Sequence, residues 1–323
     1  MEKILEKNKT FAEDVFKSLS SRPKFLSSKY FYNERGDELF QAIMNLEEYY
    51  LTRSEYNIFE HSKEEIASSF AAGRQPFNII ELGAGDGYKT KVLLKYFLEQ
   101  HLNFKYMPID ISANVLETLK SDLEENFNGL NVQPYQGDYF DALKDLNYQE
   151  DTRKIVLFLG SNIGNFKDLD VIEFLKNLSK HLTDDDKVFI GFDLKKDPHI
   201  IRDAYNDKSG ITKAFNLNLL QRINDELGGD FNLEKFIHYP VYDPLTGQAK
   251  SYLVSTVEQK VTIDALNKSF SFKQWEPIFM EVSQKYNMGD IEKIAFLSGF
   301  KIEKNFFDDK KYFVDSLWVK VDH

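Results

Sequence analysis

The chain has 323 residues, is 42% hydrophobic, carries a formal net charge of −11 and contains no cysteine. That length suits one large or two medium hydrophobic cores; the missing thiols exclude disulfides, zinc–thiolate sites and thiol nucleophiles; the acidic balance, with no Lys/Arg-dense face, argues against a nucleic-acid partner or an anionic membrane surface. His61, His101, His181, His199, His238 and His323 lie too far apart for metal-ligand spacing, so no metal is expected.

The N-terminal run MEKILEKNKTFAEDVFKSL reads as a charged amphipathic helix. It has neither the apolar stretch nor the cleavage site of a signal peptide. No segment reaches the roughly eighteen apolar residues of a membrane span, and a cytoplasmic monomer is expected. GDELFQAIMNLEEYY, from Gly36, places Leu39, Phe40, Ile43 and Met44 at helical spacing. From Phe77 the pattern alternates: FNIIEL (strand), KTKVLLKYFLEQHL (helix), KYMPIDI (strand), NVLETLKSDLEENF (helix), LNVQPYQGD and KIVLFLG (strands), IEFLKNLSKHL (helix) and KVFIGFDL (strand). Strands alternating with helices predict a mainly parallel sheet with right-handed crossovers.

The alternation stops near Lys195. AFNLNLLQRINDEL then reads as a helix, and FIHYPVYD and SYLVSTVEQKVTI as strands flanking a DPLTG turn. GDIEKIAFLSGF is helical with Gly299 near its end. FKIEKNFFDDKKYFVDSLWVKV supplies two β-rich runs, an antiparallel hairpin added to the parallel sheet. This is the pattern of an α/β, class I S-adenosylmethionine-dependent methyltransferase: a Rossmann-like doubly wound sheet with a terminal hairpin. The expected division is 60–195 with 287–323 for that domain, and 1–59 with 196–286 for a second, substrate-binding domain.

ELGAGDG, Glu81 to Gly87, falls at a strand-to-helix junction, where Gly83 and Gly85 free the backbone for a tight turn and close ligand approach. A plain glycine turn is the bland alternative. A dinucleotide site also fits the position, but the spacing is G-A-G-D-G rather than G-x-G-x-x-G. Asp110, ending the second strand, is placed for ribose hydroxyls, unless it caps a helix in competition with Ser112. Asp138 and Tyr139 in QGDYFD, after the third strand, are placed for adenine. This segment and the terminal hairpin favour S-adenosylmethionine as cofactor. Lys89 can face the methionine carboxylate; alone, such a lysine is more often on a helix surface.

The fourth strand ends in FLGSNIGNF, a polar loop where such enzymes hold an acceptor amine. With PKFLSSKYFYNERGDELF, LEEYYLTRSE, ELGAGDGYKT, MPIDIS, DLKKDP, DAYNDKSGITKAFNLNLLQRINDELGGDF and MEVSQKY, it resembles the histidine-specific methyltransferase family over residues 23 to 287. The resemblance implies trimethylation of the α-amine of free L-histidine to hercynine, the first step of ergothioneine biosynthesis. It implies that Tyr49, Asn165 and Tyr205 hold the amino acid's carboxylate and amine, that Tyr32 lies near the amine and that Gly160 lines the pocket. Glu281 and Ser283 would meet the imidazole, and Gly83, Lys89, Asp110, Asp138 and Tyr139 fall at cofactor positions. Tyr32 and Asn165 are the catalytic candidates.

Chemistry agrees in kind: a buried imidazole needs a partner for each ring nitrogen, and a carboxylate favours its doubly protonated form. Without the resemblance, Glu281 reads as a solvated acid paired with Lys285. Departures from the family pattern are Ser251, or its neighbour Tyr252, where methionine is usual, Asn162 where threonine is common, and Asp86-Gly87-Tyr88 in the glycine loop. The first bears on how the imidazole packs. Competing readings are another acceptor amine such as tryptophan, a methyltransferase-like binding protein without catalysis, and a nicotinamide-dependent oxidoreductase.

Overall fold

A computed structural model describes residues 2–71, 76–137, 139, 152–166 and 168–321. The chain begins with α1 (Glu2–Ser20), β1 (Lys24–Phe25), α2 (Glu34–Met44) and α3 (Tyr50–Ala71). The alternating region follows as β2 (Phe77–Leu82), α4 (Thr90–Glu99), β3 (Phe104–Asp110), α5 (Ala113–Asn126), β4 (Asn131–Val132) and β5 (Tyr135–Gln136). It continues through β6 (Arg153–Phe158), α6 (Asp168–Lys180) and β7 (Lys187–Asp193). Next come α7 (Pro198–Ala204), α8 (Ile211–Leu227), β8 (Phe236–Asp243), β9 (Gln248–Ser255), β10 (Gln259–Ile263), β11 (Lys268–Phe272) and β12 (Pro277–Gln284). The chain closes with α9 (Met288–Leu297), β13 (Phe300–Phe307) and β14 (Phe313–Lys320).

These elements form two compact units, 1–50 with 197–283 and 51–196 with 284–323. In the second unit the sheet order is β13-β14-β7-β6-β2-β3-β4, with β5 also on β3. β2, β3, β6 and β7 run parallel. β14 lies antiparallel between β7 and β13, which is the expected terminal hairpin. Because side chains alternate across a strand, each central strand feeds two cores. Ile80, Leu82, Val156, Phe158, Val188 and Ile190 pack under α6 and α9. Phe77, Ile79, Ile155, Leu157 and Phe189 pack under α3, α4 and α5. Burial on both faces is why these strands read as continuous apolar runs.

Three expectations shift. LNVQPYQGD is not one strand; β4 and β5 are short pieces separated by Gln133 and Pro134, and proline donates no ladder hydrogen bond. The helix expected from Gly36 starts at Glu34, capped by Asn33, whose side chain accepts from the Gly36 amide at 2.8 Å, and stops at Asn45. A boundary at 59/60 would cut α3, whose Ile58, Phe59, Ile66 and Phe70 belong to the core of the doubly wound sheet.

In the first unit, β1-β12-β9-β8 form a sheet and β10 pairs with β11. Asp243 closes the DPLTG turn by accepting from the Leu245 amide (2.9 Å) and the Thr246 hydroxyl (2.8 Å). Phe11 and Val15 of α1, Leu39 and Ile43 of α2, and Phe215, Leu219 and Ile223 of α8 share one core with Leu253, Ile278 and Met280.

Phe189 is fully buried, and its ring lies 5.3 Å from Phe70, 5.8 Å from Phe306 and 6.2 Å from Phe59. Phe189→Ala removes this hub, and urea denaturation should show a loss of about 3–5 kcal/mol. A loss under about 1 kcal/mol would mean that the layer collapses to fill the cavity.

Candidate active site

The tip of β2 is held to the tip of β3. The Gly83 amide donates to the Ile109 carbonyl at 2.8 Å, and the Gly85 amide to Asp110 Oδ2 at 3.2 Å. Gly83 has φ +71°, and a Cβ there would stand 2.8 Å from the Tyr139 hydroxyl and 3.4 Å from Asn162 Nδ2. Gly85 has φ +56°, and a Cβ there would meet nothing within 4 Å. One glycine is needed for a close approach; the other borders open space.

Asp110 Oδ1 accepts from the Ser112 amide at 2.9 Å, while Ser112 Oγ caps α5 by accepting from Val115 at 3.3 Å. The cap therefore belongs to Ser112. Burial raises Asp110 above its ordinary value, although the amides of Ser112 and Gly85 favour its charge. Asp138, the expected adenine contact, lies outside the described residues.

Lys89 is not a surface lysine. Its side chain is 17% exposed and its ammonium pairs with Glu55, which is fully buried. Both Glu55 oxygens accept from the Gly160 amide, at 2.8 and 3.0 Å. Gly160 (φ +72°) and Ser161 (φ +58°) are left-handed, turning the chain sharply after β6. A 3-10 turn over Asn162–Asn165 follows, with Asn165 exposed. Ser161 Oγ accepts from the Asp193 amide at 3.2 Å. Asp193 is buried between Lys285 (2.7 Å) and Lys196. Burial alone would raise its pKa, but the two ammonium groups bring it below the ordinary value.

Glu55 ends the LEEYYLTRSE segment and Asp193 opens DLKKDP, but neither is assigned a role from the sequence. Their signal is an acid where an apolar residue is expected: Glu55 lies in the buried stripe Leu51, Ile58, Phe59, and Asp193 ends a strand buried throughout.

In the first unit, the Tyr205 hydroxyl donates to Ser283 Oγ at 2.9 Å. The Tyr205 ring meets Tyr49 edge-on at 6.4 Å, Tyr49 meets Phe40 at 6.4 Å, and Phe40 meets Tyr32 at 5.7 Å. The expected tyrosines thus form one aromatic file ending at Ser283. Strand alternation puts Phe279, Glu281 and Ser283 on one face of β12. Tyr252 shares that face, its ring 5.7 Å from Phe279. Ser251 points the other way and is buried on the Leu253 side of β9. Of the two candidates for the methionine position, Tyr252 is on the Glu281 face.

Among the described residues no helix is long and apolar enough to cross a membrane, and no group of three or more His, Cys, Asp or Glu could hold a metal ion.

A family model described as histidine-specific methyltransferase, SAM-dependent, matches residues 11–320. The chain belongs to that family. The methyltransferase is 34% identical over 273 residues to a histidine N-alpha-methyltransferase of Mycolicibacterium smegmatis, covering 84% of this chain and 83% of that one. It is 32% identical to the ergothioneine biosynthesis protein 1 of Neurospora crassa over 86% of this chain and 31% of that one. It is 31% identical to a 4-dimethylallyltryptophan N-methyltransferase of Claviceps purpurea over 52% of this chain and 49% of that one. The fold is that of a class I methyltransferase, and the cofactor is S-adenosylmethionine.

Under the glycine turn, Glu81 accepts from Tyr106 (2.5 Å) and Thr90 (2.8 Å). Burial pushes it from 4.5 up to about 7 despite those bonds. A raised folded-state value means that the proton stabilises the fold at low pH and that this contribution is lost as pH rises through about 7. Glu81→Gln abolishes the titration. Between pH 5 and pH 8 its stability should gain on the native protein by about 3 kcal/mol, measured by denaturation at both values. A pH-independent difference would show that Glu81 does not titrate in that window.

Proposed function

We propose that the methyltransferase transfers methyl groups from S-adenosylmethionine to the α-amine of L-histidine, three times in succession, giving hercynine at the entry to ergothioneine biosynthesis. The observation that carries this reading is the polar face of β12. Glu281 and Ser283 stand two residues apart on it, and Ser283 is tied to Tyr205 at 2.9 Å. An imidazole ring needs a partner at each nitrogen. A carboxylate and a hydroxyl supply the pair, and the carboxylate favours the charged ring.

The glycine turn fits the cofactor. Gly85 borders open space, Asp110 offers acceptor oxygens at a strand end, and Lys89 offers a buried cation. Ligands bind beyond the carboxyl ends of strands in open α/β sheets. Gly83, Gly85, Asp110 and Tyr139 are assigned to the nucleoside and Lys89 to the methionine carboxylate. The cofactor's sulfonium carries an already activated methyl group.

The chain's task is then to present a neutral amine in line, because an ammonium has no lone pair. A peptide α-amino group holds its proton up to a pKa of about 8 and a free amino acid's is higher, so a proton leaves before each transfer. Asn165 and Tyr32 are assigned to orienting the amine through hydrogen bonds, Tyr49 and Tyr205 to the carboxylate, and Gly160 to the pocket lining. Water takes the proton in the simplest scheme. The tyrosine file suits a cationic product through cation–π attraction.

A second reading, an indole-bearing amine as acceptor, is favoured by the Tyr252–Phe279 pair on the Glu281 face. Calorimetric titration into protein saturated with S-adenosylhomocysteine separates the two. L-histidine and its Nα,Nα-dimethyl form should bind and L-tryptophan should not; the reverse order would replace histidine as acceptor. Glu281→Ala should weaken histidine at least about tenfold, the scale of one charged hydrogen bond, with S-adenosylhomocysteine affinity held. Equal losses for both ligands would remove Glu281 from the imidazole site.

A further inference from the structure

Glu55 is a group that none of the motif assignments uses. It lies in the middle of an apolar helix stripe, is fully buried, and binds both the Lys89 ammonium and the Gly160 amide. Its place is prepared by Gly191 of β7, where any Cβ would collide with the carboxylate.

We propose that Glu55 is a positioning residue for methyl transfer: one buried carboxylate fixes Lys89, and the Gly160 turn, in the arrangement that receives the cofactor's methionine end. This rests on the assignment of Lys89 to the cofactor carboxylate made above.

The electrostatics support it. Burial disfavours the Lys89 ammonium, and Glu55 foremost, then Glu81 and Asp315, reverse that and raise its pKa. The Lys89 ammonium is therefore favoured chiefly by the Glu55 carboxylate it touches. Asp315, on β14, completes the cluster. Burial, and then the neighbouring Glu55 carboxylate, push Asp315 well above the usual carboxylate range, with Asp308 adding repulsion and Lys89 opposing it. Among the described residues, neither Asp315 oxygen accepts a hydrogen bond. Burial and the Glu55 carboxylate thus push Asp315 toward its neutral form beside the Glu55–Lys89 pair.

Without Glu55, burial acts on Lys89 with its foremost opposing partner gone, so the ammonium offered to a carboxylate is held less firmly as pH rises. A scaffold defect would not depend on what the ligand carries at that end. Calorimetry with two probes tells these apart: S-adenosylhomocysteine, which has the carboxylate, and 5′-methylthioadenosine, which has the same nucleoside without the amino-acid end. Glu55→Gln should weaken S-adenosylhomocysteine about tenfold or more at pH 7, and further at pH 9, with 5′-methylthioadenosine little changed. Equal losses for both probes, or no loss for either, would overturn the proposal.

Lys89→Met tests the underlying assignment separately. If it leaves the ratio of the two affinities at the native value, Lys89 does not hold the cofactor carboxylate. If that ratio collapses in Lys89→Met but not in Glu55→Gln, the assignment stands and the role of Glu55 falls. Should Glu55→Gln fail to fold, Glu55→Asp keeps the charge but not the reach. It should show the same selectivity for S-adenosylhomocysteine at smaller size, and an unselective loss counts against the proposal.

Discussion

Backbone amides at the carboxyl ends of parallel strands run out of ladder partners just where the sheet is still buried, and each needs an acceptor. In the doubly wound unit, side chains meet that demand. Asp110 accepts from Gly85, Glu55 accepts from Gly160, and Ser161 accepts from Asp193. These bonds tie each turn to a neighbouring strand or helix, so the glycine turn after β2 and the loop after β6 take fixed shapes. Everything assigned to the cofactor and to the acceptor loop hangs from those stitches.

Three acids near these tips show how partners decide protonation. Asp193 sits between two lysines and is held ionised. Asp110 has backbone amides alone, and burial raises it. Glu81 has neutral hydroxyls for close partners, and its pKa climbs to about 7. Burial acts on all of them; the charge and number of donors set the outcome.

The other unit solves a different problem. Tyr32 and Tyr49 meet Phe40 edge-to-face and Tyr205 meets Tyr49 edge-to-face, so each ring is fixed by the next. Edge-to-face contacts add to area burial and leave hydroxyls at the rim of the file. Asn33 anchors its start, capping α2 and accepting from Asn218 at 2.8 Å, so the Tyr32 backbone is held from both sides.

The sequence by itself determined the alternation of strands and helices, the terminal hairpin, the glycine turn and the acid ending β3, because periodicity and turn chemistry are written within about ten residues. It also carried the family, through motifs met in order. Where LNVQPYQGD breaks, and that the helix from Gly36 ends at Asn45, were less legible, since weak local preferences yield to packing. Only the tertiary structure decided that Lys89 turns inward, that Tyr252 rather than Ser251 shares the face of Phe279, and that α3 joins the doubly wound unit. The bond from Gly160 to Glu55 spans 105 residues. No local pattern encodes such a pair, because the need it meets, a buried amide without an acceptor, exists only once the sheet has formed.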